Sequence, residues 1–252
     1  NIESGILKRE EPIVQELANE YLTEQGITIL NDVTLNSVSN DGNKPVITAN
    51  GQNYTFDAVL YATGRKPNTA NIGLENTDIT TNERCAIVVN DTCESSVPGV
   101  YAVGDVNGGP QFTYISLDDF RIVFGALTGN GQYTLKDRKN IPYTTFLTPP
   151  LARVGLTEED AINKGYTVKT KEMLVATMPR AHVNDYLKGA FKIVVNADND
   201  LILGATLYSQ GAEELINLIK MAMDNNIPYT YFKNQIFTHP TMAENLNDLC
   251  NF

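Results

Sequence analysis

The stretch Phe237-Thr238-His239-Pro240-Thr241-Met242-Ala243-Glu244-Asn245-Leu246 holds one of only two histidines in the chain. Histidine changes charge near neutral pH, which suits it to give and take protons. A carboxylate five residues on can accept one ring N–H, fix the tautomer and stabilise the imidazolium. The same letters also spell a helix start. Thr241 would be the N-cap, and Glu244 at the third helical position would reach back to the Thr241 amide, closing a capping box. One carboxylate oxygen cannot fully serve both, and spacing alone leaves both readings open. His182, in Met178-Pro179-Arg180-Ala181-His182, reads as a loop histidine.

A second candidate is Gly99-Val100-Tyr101-Ala102-Val103-Gly104-Asp105-Val106, an apolar strand ending in Gly then Asp. Gly104 allows close backbone approach to a ligand. Asp105 can accept hydrogen bonds from sugar-like hydroxyls. An ordinary strand followed by an Asx-type turn fits the same letters. The three cysteines, Cys85, Cys93 and Cys250, are too few and too irregular for a disulfide scaffold, although Cys85 and Cys93 could meet if their segments pair. No C-x-x-C spacing points to zinc, so no metal site is expected. Gly129-Asn130-Gly131 lacks the third glycine of a dinucleotide fingerprint and follows a helix instead of a strand.

The elements that must position these residues follow from pattern. Residues 10–25 read as a helix, with Pro12 in its first turn, Ile13, Leu17 and Tyr21 on one face and Gly26 closing it. Short apolar runs come next at Ile27–Leu30, Val46–Thr48 and Ala58–Ala62, with Asn50-Gly51 as a hairpin signal. The last runs into Thr63-Gly64-Arg65-Lys66-Pro67-Asn68. Strands are expected near Ala86–Val89 and Gly99–Val103, then a helix near Ile115–Leu127 closed by Gly129. Pro142, Pro149 and Pro150 mark a domain boundary around 140–150. Beyond it come a helix capped by Thr157 and ending at Gly165, and strands at Thr167–Thr170, Met173–Met178, Phe191–Asn196 and Leu201–Leu207. A helix over Ala212–Asp224 and a short one near Pro228–Asn234 follow. Strands gathered apart from helices suggest an α+β domain.

Composition narrows the partners. The chain has 252 residues, 42% of them hydrophobic, and a net charge of -11. That length supports sizeable cores. The acidic surface makes nucleic acid and anionic membranes poor partners. No apolar run is long enough to span a bilayer, and no signal sequence opens the chain, so the expected location is cytoplasmic. The first residue is Asn1, with no initiator Met, so the chain reads as starting in the middle of something.

Ala62-Thr63-Gly64-Arg65-Lys66-Pro67-Asn68 and Val100-Tyr101-Ala102-Val103-Gly104-Asp105 together resemble the flavoprotein pyridine nucleotide-disulfide oxidoreductases, the family of glutathione reductase, lipoamide dehydrogenase and mercuric reductase. Val154-Gly155-Leu156-Thr157-Glu158 and His239-Pro240-Thr241 with Glu244 continue the match in the family's order. Gln111–Asp119 and Met178–His182 look most like the bacterial hypothiocyanous acid reductase group. The resemblance implies an α/β and α+β fold in three parts. Residues 1–67 would be the C-terminal part of the NAD(P)-binding domain, 68–140 the returning FAD-binding segment, and 141–252 an interface (dimerisation) domain with an antiparallel sheet. It implies FAD and NAD(P)H as cofactors of the full-length parent, a small-molecule disulfide or related oxidised sulfur compound as substrate, and a homodimer. Asp105 with Gly104, and Gly64 near the domain crossing, would serve FAD, with Phe112 and Thr113 near the flavin by position. His239, steadied by Glu244, would be the acid and base of the partner subunit's thiol pair. The family's N-terminal glycine fingerprint, its C-x-x-x-x-C disulfide and its second glycine fingerprint are not in these residues. By itself the chain is therefore expected to be inactive and to retain no FAD, which leaves a non-enzymatic dimerisation module as the alternative reading. A mercuric reductase-like parent is weaker, since that group carries paired cysteines near its C-terminus and here Cys250 stands alone.

Overall fold

The computed structural model describes all 252 residues, which form two compact units, residues 1–60 with 140–252 and residues 61–139. In chain order, α1 (Pro12–Glu24) precedes β1 (Leu35–Asn40), β2 (Pro45–Ala49) and β3 (Gln52–Thr55), and α2 (Thr113–Thr128) is the long helix of the second unit. After it come β4 (Tyr143–Thr145), β5 (Leu151–Gly155), α3 (Glu158–Asn163), β6 (Val168–Leu174), α4 (Pro179–Val183), β7 (Ala190–Asn196) and β8 (Ile202–Tyr208). The chain closes with α5 (Ala212–Asp224), α6 (Tyr229–Asn234) and α7 (Asn245–Leu249).

The first unit is built on a five-stranded antiparallel sheet of order β4-β5-β8-β7-β6. Its residues alternate between two cores, as the two-residue period of a strand requires. Ala152, Val154, Phe191, Ile193, Val195, Ala205 and Leu207 face α5, α6 and α7, where Ile216, Ile219, Leu246 and Leu249 are buried. Leu151 and Tyr208 face the other way and pack on Val14, Ala18 and Tyr21 of α1. This is the expected α+β arrangement with an antiparallel sheet. The apolar stripe of α5 closes on this sheet. Leu215, Ile216, Ile219, Ala222 and Met223 are buried within the unit, and only Leu218 and Met221 remain open among its large apolar residues.

Some expected strands take other forms. Asn50-Gly51 does turn a hairpin, but β2 pairs with Gln52–Thr55 directly after the turn. Ile27–Leu30 and Ala58–Ala62 carry no strand, and Leu60 and Tyr61 lie exposed with no neighbouring strand to supply a ladder. The strands expected near Ala86–Val89 and Gly99–Val103 reduce to single bridges, Thr81↔Ile87 and Glu94↔Tyr101. Asparagine side chains capture the backbone there. Asn82 Oδ1 accepts the N–H of Arg84 and Ala86, and Asn90 Oδ1 accepts those of Thr92 and Glu94. Such local bonds compete with sheet ladders. The two strands expected between Thr167 and Met178 are one, β6, which ends in a 3-10 turn over Val175–Thr177. Its charged middle stays in the sheet because Glu172 stands opposite Lys192 and pairs with it at 3.0 Å.

Lys192 also joins α1 to the sheet. Its side chain is 5% exposed and meets Glu11, itself 2% exposed, at 2.9 Å. Glu158 lies 2.6 Å from the same ammonium and gives its backbone N–H to Glu11 at 2.8 Å. Beside them Tyr143 donates to Glu10 at 2.5 Å and Arg153 Nε donates to Tyr143 at 2.6 Å. Burial works to lower the Lys192 pKa, but the bonds from Glu158, Glu11 and Glu172 outweigh it and the value rises. Burial, then the bond to Glu10, raises that of Tyr143.

Both groups hold their protons more tightly folded than unfolded. Their contribution is therefore complete below the unfolded pKa values and is lost as pH climbs toward the folded ones. The buried thiols of Cys93 and Cys250, raised by burial in the same way, should start a decline in unfolding free energy near pH 9. Above about pH 10, Lys192 and Tyr143 should steepen it by up to about 1.4 kcal/mol per pH unit each. Denaturant melts between pH 8 and 11 test this, and an unchanged midpoint across that span would refute it.

Candidate active site and cofactor-binding turn

His239 and Glu244 come together at the start of α7. The ring Nδ1 lies 2.8 Å from Glu244 Oε2. An ionised carboxylate can only accept, so Nδ1 carries the hydrogen and Nε2 of the neutral ring keeps its lone pair. The imidazole stands in the open, 73% exposed, while the glutamate side chain is only 17% exposed. A fixed carboxylate behind an exposed ring is the geometry needed to present one nitrogen as acid or base.

The capping alternative is half realised. Thr241 Oγ1 accepts the N–H of Glu244 at 3.3 Å and donates to Thr238 O at 2.7 Å. The reciprocal bond is absent: Glu244 Oε2 meets the histidine, and Oε1 is buried without a hydrogen-bond partner. The helix also begins three residues later than a capping box would place it, at Asn245 and not at Met242. The threonine thus shapes the turn and the glutamate serves the ring.

The supports of this turn come from residues the sequence reading passed over. Asn245, buried, donates to Thr241 O and Met242 O at 3.2 and 3.0 Å. Asn247 donates to Phe232 O at 2.5 Å and Gln235 O at 3.0 Å, tying α6 and the approach to His239 onto α7. Lys171 reaches across from β6 to Asp248 O and Asn251 O at 2.7 and 2.6 Å, where a cation suits a helix C-terminus. Asparagines this close to His239 and Glu244 were the only available signal. His182 belongs to α4 and not to a loop, with Nε2 2.8 Å from Ala176 O.

In the second unit, residues 104–107 make a 3-10 turn against α2. Gly104 has φ +72, and a Cβ there would stand 2.7 Å from Ser116 Oγ, so conformation and space both demand glycine. Asp105 is exposed, and no hydrogen bond or ion pair within the unit engages its carboxylate. A free acceptor beside a tightly docked backbone fits a polyhydroxyl chain such as the ribityl of FAD. Phe112 precedes α2 and Thr113 opens it, both exposed. Gly64, with φ +117, is exposed near the start of the unit, and a Cβ there would meet nothing within 4 Å.

The cysteines do not form a pair. All three are free thiols, with Cys85 exposed and Cys93 and Cys250 buried. Burial, followed by the nearby Asp119 carboxylate, pushes Cys93 up to about 11. Burial pushes Cys250 up to about 12. Thiols held protonated in this way are poor nucleophiles. No group of three or more His, Cys, Asp or Glu side chains could hold a metal ion, and no helix is long and apolar enough to cross a membrane.

Residues 2–119 match the family of pyridine nucleotide-disulphide oxidoreductases, and residues 141–250 match the dimerisation domain of the same family. The chain is 42% identical over 246 residues to the "Probable pyridine nucleotide-disulfide oxidoreductase RclA" of Escherichia coli (strain K12), covering 98% of this chain and 56% of that protein. It is 35% identical over 245 residues to a mercuric reductase of Staphylococcus aureus, covering 96% and 45%. Among solved structures, "HOCl-induced flavoprotein disulfide reductase RclA from Escherichia coli" superposes with a TM-score of 0.95 at 41% identity, covering 99% of this chain and 57% of that one. The chain belongs to the pyridine nucleotide-disulphide oxidoreductase family, and it spans about half the length of the curated relatives it matches.

The division of labour in the His239 turn is measurable in the chain itself. Thr241→Ala removes the acceptor of the Glu244 N–H and should cost about 1 kcal/mol, the usual worth of a cap. That corresponds to a melting point lower by roughly 2–4 °C in a protein of this size. Glu244→Ala, which removes no cap here, should shift it by less than about half as much. A shift for Glu244→Ala as large as that for Thr241→Ala in a thermal melt would restore the capping-box account.

Proposed function

We propose that this chain is the C-terminal part of an FAD-dependent, NAD(P)H-driven reductase of disulfides or related oxidised sulfur compounds. Residues 1–67 would complete its NAD(P)-binding domain, 68–140 would return to its FAD-binding domain, and 141–252 would form the dimer interface. The observation that carries the reading is the 2.8 Å contact between His239 Nδ1 and Glu244 Oε2 with the ring left exposed. Family membership and the likeness to a flavoprotein disulfide reductase, RclA of Escherichia coli, support it.

FAD, when bound, supplies the passage of reducing equivalents from the nicotinamide to a cysteine pair outside these residues. The residues of this chain do the holding and the proton work. Asp105 accepts hydrogen bonds from the ribityl hydroxyls, and Gly104 lets the backbone sit close beneath. Gly64, Phe112 and Thr113 line the approach. His239 Nε2 takes a proton from the attacking thiol and returns one to the leaving sulfur, because exchange needs a thiolate nucleophile and a protonated leaving group. Glu244 holds the tautomer and stabilises the charged ring. The histidine would enter the partner subunit's site. A surface position with 73% of the side chain open suits that role.

The test is made in the full-length reductase. His239→Ala should leave flavin bound and reducible by NAD(P)H, while turnover falls by roughly 10²–10⁴, the usual worth of a positioned acid–base group. Glu244→Gln should lose less. Mixing His239→Ala subunits with subunits lacking the cysteine pair should restore some activity, since one of the two hybrid sites then holds both a good histidine and a good pair. Unchanged turnover in His239→Ala ends the reading.

The isolated chain should also be a two-fold dimer using the same surface on both copies. Residues 141–250 match a dimerisation domain. Phe146, Leu218, Met221 and Ile236 are exposed apolar side chains in the same unit. Sedimentation equilibrium at micromolar concentration should give twice the chain mass, and a monomer alone would contradict it. A monomer would leave the His239 assignment to the turnover experiment and remove only the cross-subunit arrangement.

A further inference from the structure

We infer that Asp119 is a positioning residue for the flavin, acting through the turn that presents Asp105, with Arg138 as its fixed counter-ion. The inference rests on the proposed FAD role of Asp105.

Asp119 lies on α2 and is fully buried, an uncommon place for a carboxylate. Its Oδ2 accepts two hydrogen bonds, from the backbone N–H of Gly104 at 2.7 Å and from Asn107 Nδ2 at 2.9 Å. Those donors are the first and last residues of the 3-10 turn, so a single oxygen grips both ends of it with Asp105 between. Its Oδ1 pairs with Arg138 Nη2, and the guanidinium is anchored a second time by Asp118 at 2.7 Å. Asn107 passes the constraint on, donating also to Ala102 O at 3.2 Å and accepting the Gly109 N–H at 2.9 Å.

The arrangement is more than a short turn needs. A 3-10 turn closes with its own backbone bonds, and a buried carboxylate beneath it carries a desolvation cost that only full pairing offsets. Here every bond goes to the turn or to the counter-ion. What the turn gains is a fixed direction for Asp105. An exposed carboxylate free to wander would meet a row of hydroxyls in many geometries, and holding it in one lowers the ordering cost of binding. Asp119 touches no ligand itself.

The experiment uses the full-length reductase, stripped of flavin and titrated with FAD. Asp119→Asn keeps the shape but turns an amide toward Arg138, or flips and loses the Gly104 bond. The FAD dissociation constant should rise about ten- to a hundredfold. Asp105→Asn should raise it similarly. The double variant should be little weaker than either single one, because Asp119 works only through Asp105. A general loss of stability moves the melting point of the flavin-free protein but gives effects that multiply in the double variant. Multiplying effects, or unchanged affinity in Asp119→Asn beside a weakened Asp105→Asn, overturn the inference. No effect of Asp105→Asn overturns instead the FAD role on which it rests. If Asp119→Asn does not fold, Asn107→Ala carries the same cycle. It leaves the Asp119–Arg138 pair intact and should weaken FAD about threefold to tenfold, again without adding to Asp105→Asn.

Discussion

An ammonium group almost sealed from water, Lys192, sits among Glu11, Glu158 and Glu172. Taking such a charge out of water costs several kcal/mol, and only a complete set of partners offsets it. The partners come from α1, the first turn of α3 and the neighbouring strand β6. Their positions are therefore not independent. α1 must lie where Glu11 reaches the lysine, and β6 must keep the register that sets Glu172 opposite it. Because β7 alternates, fixing Lys192 toward α1 turns Phe191 and Ile193 toward the other core. That core carries α5, α6 and α7, and α7 carries the histidine turn.

The two candidate sites share one physical device although they lie in different units. Each exposes one titratable side chain and buries the polar groups that aim it. The His239 ring is open while Glu244, Asn245 and Asn247 beneath it are buried or half-buried. Asp105 is open while Asp119 and Asn107 hold the turn from below. A group that must meet a ligand cannot also be packed in a core, so its orientation has to come from neighbours that are. Buried bonds in a medium of low polarity serve this well, since an unmade bond there is costly and few alternative geometries compete.

The long helices and the strands β6, β7 and β8 were readable from pattern, whereas β4 and β5 were not and the antiparallel sheet came from the family resemblance. The period of Ile13, Leu17 and Tyr21, the spacing along Ala212–Asp224, and the capping box that Thr157 forms with Asp160 all act within a few residues of chain. Strand content in the second unit was not readable, because Asn82 and Asn90 divert the backbone into side-chain bonds that an apolar run does not reveal. The covering of α5 was not readable either. The number of apolar residues on a helix does not say how wide a sheet will lie against it, and here the sheet takes the whole stripe.

By itself the sequence determined the types of group available: a histidine with a glutamate five residues on, a glycine followed by an aspartate, cysteines at spacings that suit neither a redox pair nor a metal, and an acidic chain with the motifs of its family in their order. It left the Glu244 carboxylate two claims, the Thr241 amide three residues back and the imidazole five residues back. Tertiary structure decided between them. Asn245, Asn247 and Lys171 set the turn so that the carboxylate meets the ring at 2.8 Å, and the Glu244 amide turns to the threonine hydroxyl instead. Tertiary structure alone also put Asp119 beneath Gly104, 15 residues away in the chain. A hydrogen bond is satisfied by direction and distance in space. Those become fixed only when the cores behind the turns have closed.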